Sequence, residues 1–272
     1  MLKDKMKLKI RLLFIVFLIL IAFNESKAQD QFVLKSAKVP GPDTVWVFKP
    51  AGYSAEKNYP TVFLLHGWSG NYKQWNSIMN AQQYADEYGF IIVCPDGFYD
   101  SWYLNSPLKP HFQFVDFFYE TLFPEIKSRY RVNENNVFIT GLSMGGHGAL
   151  TIFLEHPEVF KSAGSTSGGV VLAASGDKFG ISRLLGDFST SKATWDQFSI
   201  VNKIQKIAGT DKQIIFDCGT EDFFYEANNQ LRKKCDELKI NATYISQPGS
   251  HNRQYWAKAI KQELEFFKGL VD

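Results

Sequence analysis

The sequence predicts an α/β fold with a mostly parallel central sheet and helices on both faces. Short apolar runs typical of buried strands, such as residues 61–65 and 213–217, alternate with stretches of helical periodicity. The connections between them are mostly short, which favours strand–helix–strand units. The chain has no internal repeat and no low-complexity linker, so we expect a single domain over residues 29–272.

The first 28 residues have the order of a signal peptide and are left out of the predicted fold. Five basic residues lie within the first eleven, and an unbroken apolar run of 12 follows at residues 12–23. Ser-Lys-Ala at residues 26–28 then offers small residues at the two positions that a signal peptidase reads. The run is shorter than the roughly 20 residues of a membrane span. We therefore expect export without a stable membrane span, with an uncleaved anchor as the alternative.

Charge and cysteine usage argue against nucleic-acid and metal binding. The formal charge is +2, of which the first 28 residues contribute six bases and two acids, so the remainder carries −2. Nucleic-acid-binding domains carry clustered excess positive charge, so none is implied here. Cys94, Cys218 and Cys235 fit no zinc spacing, and their odd number leaves a free thiol. We expect no metal site and no disulfide framework.

In the first half of the chain, strands are predicted where apolar or β-branched residues follow one another. Helices are predicted where apolar residues recur three or four positions apart. The strands are expected at residues 32–39, 44–49, 61–65 and 90–94, and the helices at 74–88 and 112–131. A Pro-Gly-Pro-Asp turn joins the first two strands, and a long loop covers residues 98–110. Pro124 should bend the second helix.

The second half continues the alternation, with one interruption. Strands are expected at residues 136–140, 213–217 and 242–246, with a short one before residue 167, and helices at 149–155, 223–238 and 253–270. Residues 168–208 contain five glycines, and only residues 195–207 look helical. We interpret this segment as a small insertion over one edge of the functional site.

Gly141-Leu142-Ser143-Met144-Gly145 matches the Gly-x-Ser-x-Gly pattern. A bare match is weak, but here a strand precedes the serine and a helix follows it, which is the context of a nucleophile elbow. Gly141 and Gly145 lack a Cβ, so the strand and the helix can approach closely. Ser143 is therefore the candidate nucleophile, and the helix N-terminus would direct N–H groups at an oxyanion.

A serine hydroxyl needs a neighbouring base, and the base needs an orienting acid. In this kind of fold the chain order is serine, acid, histidine, each on a loop after a strand. His251 alone among the histidines after Ser143 lies on such a loop. For the acid, Asp222 competes with Glu221 and Asp217. We prefer Asp222, because it lies in the loop whereas Asp217 still belongs to the strand.

The oxyanion hole requires two N–H donors. The residue after the nucleophile, Met144, provides one, and Trp68 in the loop after the strand at residues 61–65 is the best candidate for the other. Each donor of this kind lowers the barrier by roughly 3 kcal/mol. His66, two residues before Trp68, is interpreted as a structural residue of that loop.

Together these motifs resemble the esterase D-type branch of the α/β-hydrolases. The resemblance spans about residues 32–270. It rests on Leu65-His66-Gly67-Trp68-Ser69-Gly70-Asn71 with Trp75, Pro95-Asp96-Gly97 with Ser101-Trp102-Tyr103, the serine motif, Cys218-Gly219-Thr220-Glu221-Asp222-Phe223, and His251. The branch includes S-formylglutathione hydrolases, short-chain tributyrin esterases, feruloyl and acetylxylan esterases, and mycolyltransferases.

The resemblance implies ester hydrolysis by a serine triad, without a metal or organic cofactor. It assigns the triad to Ser143, Asp222 and His251, and the backbone oxyanion donors to Trp68 and Met144. It further implies that Ser101, Trp102 and Tyr103 line the acyl or alcohol side of the cleft. Ordinary packing of this aromatic loop on the core is the alternative interpretation.

The substrate follows only from analogy and compartment. An exported esterase with 15% aromatic residues suits short-chain or hydroxycinnamoyl esters, such as acetyl or feruloyl groups on plant polysaccharide. A general short-chain esterase or an S-formylglutathione-type thioester hydrolase is the alternative, although the leader argues against a cytosolic enzyme. A non-catalytic carbohydrate-binding module on the same scaffold is the alternative of another class. The intact order of serine, acid and histidine disfavours that module, and the sequence carries no signal for an oligomeric state.

Overall fold

A computed structural model describes residues 29–272, so the predicted signal peptide lies outside the described residues. The strands are β1 (Gln29–Leu34), β2 (Asp43–Phe48), β3 (Tyr59–Leu65), β4 (Ile91–Pro95), β5 (Val132–Gly141), β6 (Ser162–Thr166), β7 (Gln213–Gly219) and β8 (Asn241–Gln247). They form one sheet in the order β1-β2-β4-β3-β5-β6-β7-β8. β2 pairs antiparallel with both β1 and β4, and the other five strand pairs are parallel, which confirms the predicted mostly parallel sheet.

The helices connect the strands and cover both faces of the sheet. They are α1 (Gln74–Ile78), α2 (Ala81–Tyr88), α3 (Phe114–Phe117), α4 (Phe123–Arg129), α5 (Met144–Glu155), α6 (Ser182–Leu185), α7 (Phe188–Phe198), α8 (Ile200–Lys203), α9 (Tyr225–Glu237) and α10 (Arg253–Gly269). Within residues 29–272, no helix is both long enough and apolar enough to span a membrane.

The apolar core lies in two layers, one on each face of the sheet. Helices α3, α4, α5 and α9 pack on one face, while α1, α2 and α10 pack on the other. Alternate residues of β3 enter opposite layers, since Phe63 lies in the first and Val62 and Leu64 in the second. A central parallel strand is buried on both faces, which explains why β3 appears in the sequence as a continuous apolar run.

Two predicted helices are interrupted. The helix expected at residues 74–88 divides after α1, and the Asn80 side chain then accepts a hydrogen bond from the Gln83 N–H at 3.1 Å, capping α2. The helix expected at residues 112–131 contains a π-helical turn at Phe118–Leu122, immediately before Pro124. Proline has no N–H and its ring collides with the carbonyl four residues earlier, so the predicted irregularity takes the form of a wider turn.

The insertion at residues 168–208 contains more helix than predicted. Helices α6 and α7 begin before residue 195, in a stretch whose residues show no helical periodicity. A four-residue helix has little stability of its own. Here Leu184, Leu185 and Trp195 are buried in the first core layer, so tertiary packing stabilises these short helices.

Candidate active site

Ser143 lies between the end of β5 and the start of α5 with strained backbone angles, φ +56° and ψ −115°. Such a conformation costs of the order of 1–3 kcal/mol and persists only where the surroundings enforce it. Here the Ser143 N–H donates to the Thr166 carbonyl at 3.0 Å, and the Ser143 carbonyl accepts from the Gly169 N–H at 3.2 Å. The strained backbone is therefore held from both sides, as expected for a nucleophile elbow.

The two glycines of the motif are sterically required. A Cβ on Gly145 would lie 2.3 Å from the Leu65 carbonyl oxygen, and one on Gly141 would lie 2.5 Å from the Gly145 carbonyl carbon. Because these obstacles are backbone atoms, no rotamer change could relieve the collision. The expected close approach of strand and helix at this turn is confirmed.

The structure brings Ser143, His251 and Asp222 together. His251 Nε2 lies 2.9 Å from Ser143 Oγ, and His251 Nδ1 lies 2.8 Å from Asp222 Oδ2. The Asp222 side chain is fully buried, whereas the His251 side chain keeps 15% of its surface exposed. An ionised Asp222 accepts from Nδ1–H, which leaves Nε2 free to accept the serine proton.

The other two candidate acids point elsewhere. Glu221 accepts a hydrogen bond from the Ser250 hydroxyl at 3.1 Å. Asp217 is buried and accepts from the Thr166 hydroxyl at 2.6 Å. Asp222 itself is fixed by the Phe224 N–H, which donates to its Oδ1 at 2.8 Å. Among the three acids, only Asp222 has a hydrogen bond to His251 in residues 29–272.

The amide N–H groups of Trp68 and Met144, close to Ser143, donate to no acceptor among residues 29–272. Met144 is the first residue of α5, where the helix dipole adds partial positive charge. Trp68 lies in the loop after β3, and its side chain lines the same cavity as Ser143. Both groups are available to donate to an oxygen that develops negative charge.

The direction of the Trp68 N–H is fixed by its neighbours. The Gly67 carbonyl, which shares a planar peptide unit with this N–H, accepts from His66 Nδ1 at 2.8 Å. The Gly67 N–H donates to Gln74 Oε1 at 2.7 Å, and His66 Nε2 accepts from the Gly97 N–H at 2.9 Å. His66 is thus a buried residue that holds the loop together, in keeping with its structural interpretation, whereas sequence reasoning overlooked Gln74.

A cavity of about 170 Å³ opens beside Ser143. Its wall is mostly apolar and consists of Gly67, Trp68, Gln74, Leu142, Ser143, Phe179, Phe223, His251 and Trp256. Sequence reasoning missed Phe179, Phe223 and Trp256, because they come from the insertion, the acid loop and α10, and no local pattern relates them. Within residues 29–272, no group of His, Cys, Asp and Glu side chains is arranged to hold a metal ion.

A band of aromatic rings runs along the cavity and ends at His251. Trp68 contacts Tyr99 and Phe179, with ring centroids 5.0 and 5.4 Å apart. Phe179 stacks on Phe223 at 6.1 Å, and Phe223 lies 4.3 Å from the His251 ring. Phe223 remains 56% exposed and Tyr99 57%, so this band offers flat apolar surface to a bound molecule.

The structure corrects the expectation that Ser101, Trp102 and Tyr103 line the cleft. They are 1%, 1% and 0% exposed, and none contributes to the cavity wall. Trp102 and Tyr103 have φ of +51° and +54°, which turns the loop inward. Trp102 Nε1 then donates to the Phe179 carbonyl at 3.0 Å, and the Tyr103 hydroxyl to the His66 carbonyl at 3.1 Å. The loop supports the site from within the core, as in the packing alternative.

The sheet, its strand order and the strained serine turn define a protein of the α/β-hydrolase fold, in the serine hydrolase class. The family model described as "Putative esterase" matches residues 36–267. The chain belongs to this esterase family.

Individual relatives agree with this membership. The acetyl esterase of Caldicellulosiruptor saccharolyticus is 26% identical over 236 residues, covering 79% of this chain and 86% of the relative. The S-formylglutathione hydrolase of Mus musculus is 27% identical over 224 residues, covering 72% and 78%.

Solved structures share the fold at lower identity. The substrate-bound fluorophosphonate-binding serine hydrolase F of Staphylococcus aureus superposes with a TM-score of 0.78 at 22% identity, covering 90% of this chain and 99% of its own. A ferulic acid esterase gives a TM-score of 0.76 at 22% identity, covering 89% and 98%.

Proposed function

We propose that this protein is a serine carboxylesterase that cleaves acyl esters through an acyl-enzyme on Ser143. The observation that carries the proposal is the unbroken hydrogen-bonded relay from Ser143 through His251 to Asp222, with bonds of 2.9 and 2.8 Å. Membership of the esterase family supports the same reaction class.

In the acylation step, His251 Nε2 accepts the hydroxyl proton as Ser143 Oγ attacks the ester carbonyl carbon. The carbonyl oxygen becomes an oxyanion, to which the N–H groups of Trp68 and Met144 donate. The buried Asp222 carboxylate stabilises the resulting imidazolium. His251 then returns the proton to the departing alcohol oxygen, and the acyl group stays on Ser143.

Deacylation repeats the same steps with water as the nucleophile. His251 takes a proton from the water as its oxygen attacks the acyl-enzyme carbonyl. Collapse of the second oxyanion releases the carboxylic acid, and Ser143 Oγ regains its proton from His251. The reaction consumes one ester and one water and needs no further reactant.

The experiment that tests this proposal combines turnover with covalent labelling. We expect hydrolysis of p-nitrophenyl acetate, with loss of activity when one equivalent of a fluorophosphonate reagent is incorporated. Peptide mass analysis should locate the label on Ser143. A non-catalytic carbohydrate-binding module would neither turn over nor be labelled, and either result would contradict the proposed reaction.

We further propose that the substrate is a short-chain or hydroxycinnamoyl ester, such as an acetyl or feruloyl group on plant polysaccharide. A cavity of about 170 Å³ is smaller than the roughly 300–1,000 Å³ typical of drug-sized ligands, which favours a short acyl group or a single ring. The exposed ring of Phe223 next to His251 suits a flat group. Acetyl esterase and ferulic acid esterase are among the similar proteins. The alternative is a tributyrin-type or S-formylglutathione-type hydrolase, since such a thioester hydrolase is also among the relatives.

Replacing Phe223 with alanine tests the use of the aromatic band. If a substrate ring stacks on Phe223, Phe223→Ala should raise KM for a feruloyl ester by roughly 3- to 10-fold, the equivalent of one aromatic contact. KM for tributyrin and for S-formylglutathione, neither of which carries an aromatic ring, serves as the comparison. Val33→Ala is the matched control, because Val33 is 51% exposed and lies on β1, outside the cavity wall. Equal KM changes for all esters would remove the support for a ring-bearing substrate.

Export remains a proposal from the first 28 residues of the sequence. Their basic, apolar and small-residue order favours removal during secretion. Intact-mass analysis of the secreted or periplasmic protein should give a chain that begins at residue 29. A mass that includes residues 1–28 would indicate a membrane-tethered enzyme instead.

A further inference from the structure

Two carboxyl groups lie fully buried behind the relay and take no part in the proposed reaction. Asp217, near the end of β7, is 1% exposed, and Glu263, in the middle of α10, is 0% exposed. Burying an ionised carboxylate is costly unless a partner compensates it. The partners found in residues 29–272 are hydroxyl and backbone groups and the other carboxyl, not a basic side chain.

Each carboxyl uses one oxygen for a neighbouring threonine. The Thr166 hydroxyl donates to Asp217 Oδ1 at 2.6 Å, and the Thr140 hydroxyl donates to Glu263 Oε2. The second oxygens, Asp217 Oδ2 and Glu263 Oε1, are buried and have no donor in good hydrogen-bond geometry among residues 29–272, although the Tyr255 hydroxyl approaches Asp217 and the Ser165 N–H approaches Glu263. The two side chains nevertheless lie within hydrogen-bonding reach of each other. Two anions there would repel, whereas one shared proton supplies the missing donor.

The surroundings also favour a proton on this pair of carboxyl groups. Burial raises the pKa of Asp217 to about 7, although its hydrogen bond from Thr166 works in the opposite direction. Burial and then the charge of Asp217 raise the pKa of Glu263 well above its ordinary value. Both shifts favour the protonated form, so the buried pair binds a proton more tightly than exposed carboxyl groups do. The polar and titratable groups that interact with the pair are Thr140, Thr166, Asp222 and Tyr255, while Cys218 and Tyr244 influence Asp217 through charge from the other face of the sheet.

The pair connects the three segments that carry the relay. Thr140 lies on β5 just before Ser143, and Asp217 lies on β7 just before the Asp222 loop. Tyr255 and Glu263 belong to α10, which begins two residues after His251. Gly164 on β6 leaves space for the hydrogen bond between Thr140 and Glu263. A Cβ at this position would lie 2.8 Å from Thr140 Oγ1 and 2.9 Å from Glu263 Oε2.

We propose that Asp217 and Glu263 share one proton, and that this buried pair is a positioning element that holds the Ser143, Asp222 and His251 segments in register. The pair touches no substrate and acts only through the relay. Its positioning role rests on the proposed esterase function, whereas proton sharing can be tested without any substrate.

Two substitutions of Glu263 test the positioning role. In Glu263→Gln the amide N–H replaces the carboxyl proton as the donor to Asp217, so kcat at pH 7 should stay within about threefold of the parent. In Glu263→Leu the donor is lost and the segments can shift, so kcat should fall by up to roughly 10²-fold, with KM little changed. Gly164→Ala, whose Cβ would push against Thr140 and Glu263, provides a second disturbance with the same expected direction if Glu263→Leu does not fold. All variants are compared at matched folded fraction.

The pH dependence of stability tests the shared proton. The folded pKa of Glu263 lies above its unfolded value, so the folded state binds the extra proton and stability falls as pH rises toward that pKa. Glu263→Gln has no proton to lose at this position. Urea unfolding at pH 5, 7 and 9 should therefore show the parent losing stability relative to Glu263→Gln as pH increases.

The outcomes separate the two parts of the proposal. A parent-minus-glutamine difference that is flat from pH 5 to 9, or a Glu263→Gln chain that does not fold, would overturn the shared proton. Parent-like kcat in Glu263→Leu or Gly164→Ala would overturn the positioning role. If the parent hydrolyses no ester, the proposed function fails, and the unfolding series still reports on the pair.

Discussion

Ser143→Ala is expected to lower ester turnover by on the order of 10⁶-fold, the loss found when the nucleophile of such a relay is removed. The hydroxyl is the group that attacks the carbonyl, and His251 Nε2 lies 2.9 Å from it with no other nucleophile in this relay. Alanine keeps the Cβ, so the strain of φ +56° is unchanged and the fold should persist. Turnover of p-nitrophenyl acetate and the thermal midpoint are measured for both proteins.

Two further variants serve as controls for this experiment. Ser143→Gly should lose the same activity but gain about 1 kcal/mol of stability, because glycine tolerates the positive φ. Ser250→Ala changes a serine on the His251 loop that contacts Glu221 and not the relay, so it should keep near-parental turnover. Activity of Ser143→Ala within tenfold of the parent would refute the assignment of the nucleophile.

Asp222→Asn is expected to cost about 10⁴-fold in turnover, by analogy with the same change in other triads. Asparagine is neutral and cannot stabilise the imidazolium, and its amide N–H favours the wrong tautomer of His251. The fold should persist, because the side-chain oxygen can still accept from the Phe224 N–H as Asp222 does at 2.8 Å. Turnover is compared with that of the parent, with unfolding measured in parallel.

The other two acids provide matched controls. Glu221→Gln should have little effect, because Glu221 bonds to Ser250 and not to His251. Asp217→Asn keeps hydrogen-bonding groups next to Thr166 and Glu263, so it should retain most of its turnover at matched folded fraction. If either control variant is crippled while Asp222→Asn turns over normally, the acid has been assigned to the wrong residue.

The features predicted correctly from the sequence are those that local patterns encode. The apolar runs of β3 and β7, each buried on both faces, marked the parallel sheet, and the strand–serine–helix context marked the strained turn at Ser143. The preference for Asp222 over Asp217 followed from counting residues past the end of a strand. The structure brings Asp222 and His251 within 2.8 Å. The catalytic roles of these residues stay predictions until the variants are measured.

By itself, then, the sequence determined the order of strands and helices, the elbow and the acid and histidine loops, because each depends on residues close together in the chain. Only the tertiary structure decided that Ser101, Trp102 and Tyr103 turn inward and that the cavity wall comes from the insertion, the acid loop and α10. It alone also brought Asp217 against Glu263. These contacts depend on packing between segments that are distant in the chain. The burial and hydrogen bonding that such packing produces leave no periodic pattern in the amino-acid sequence.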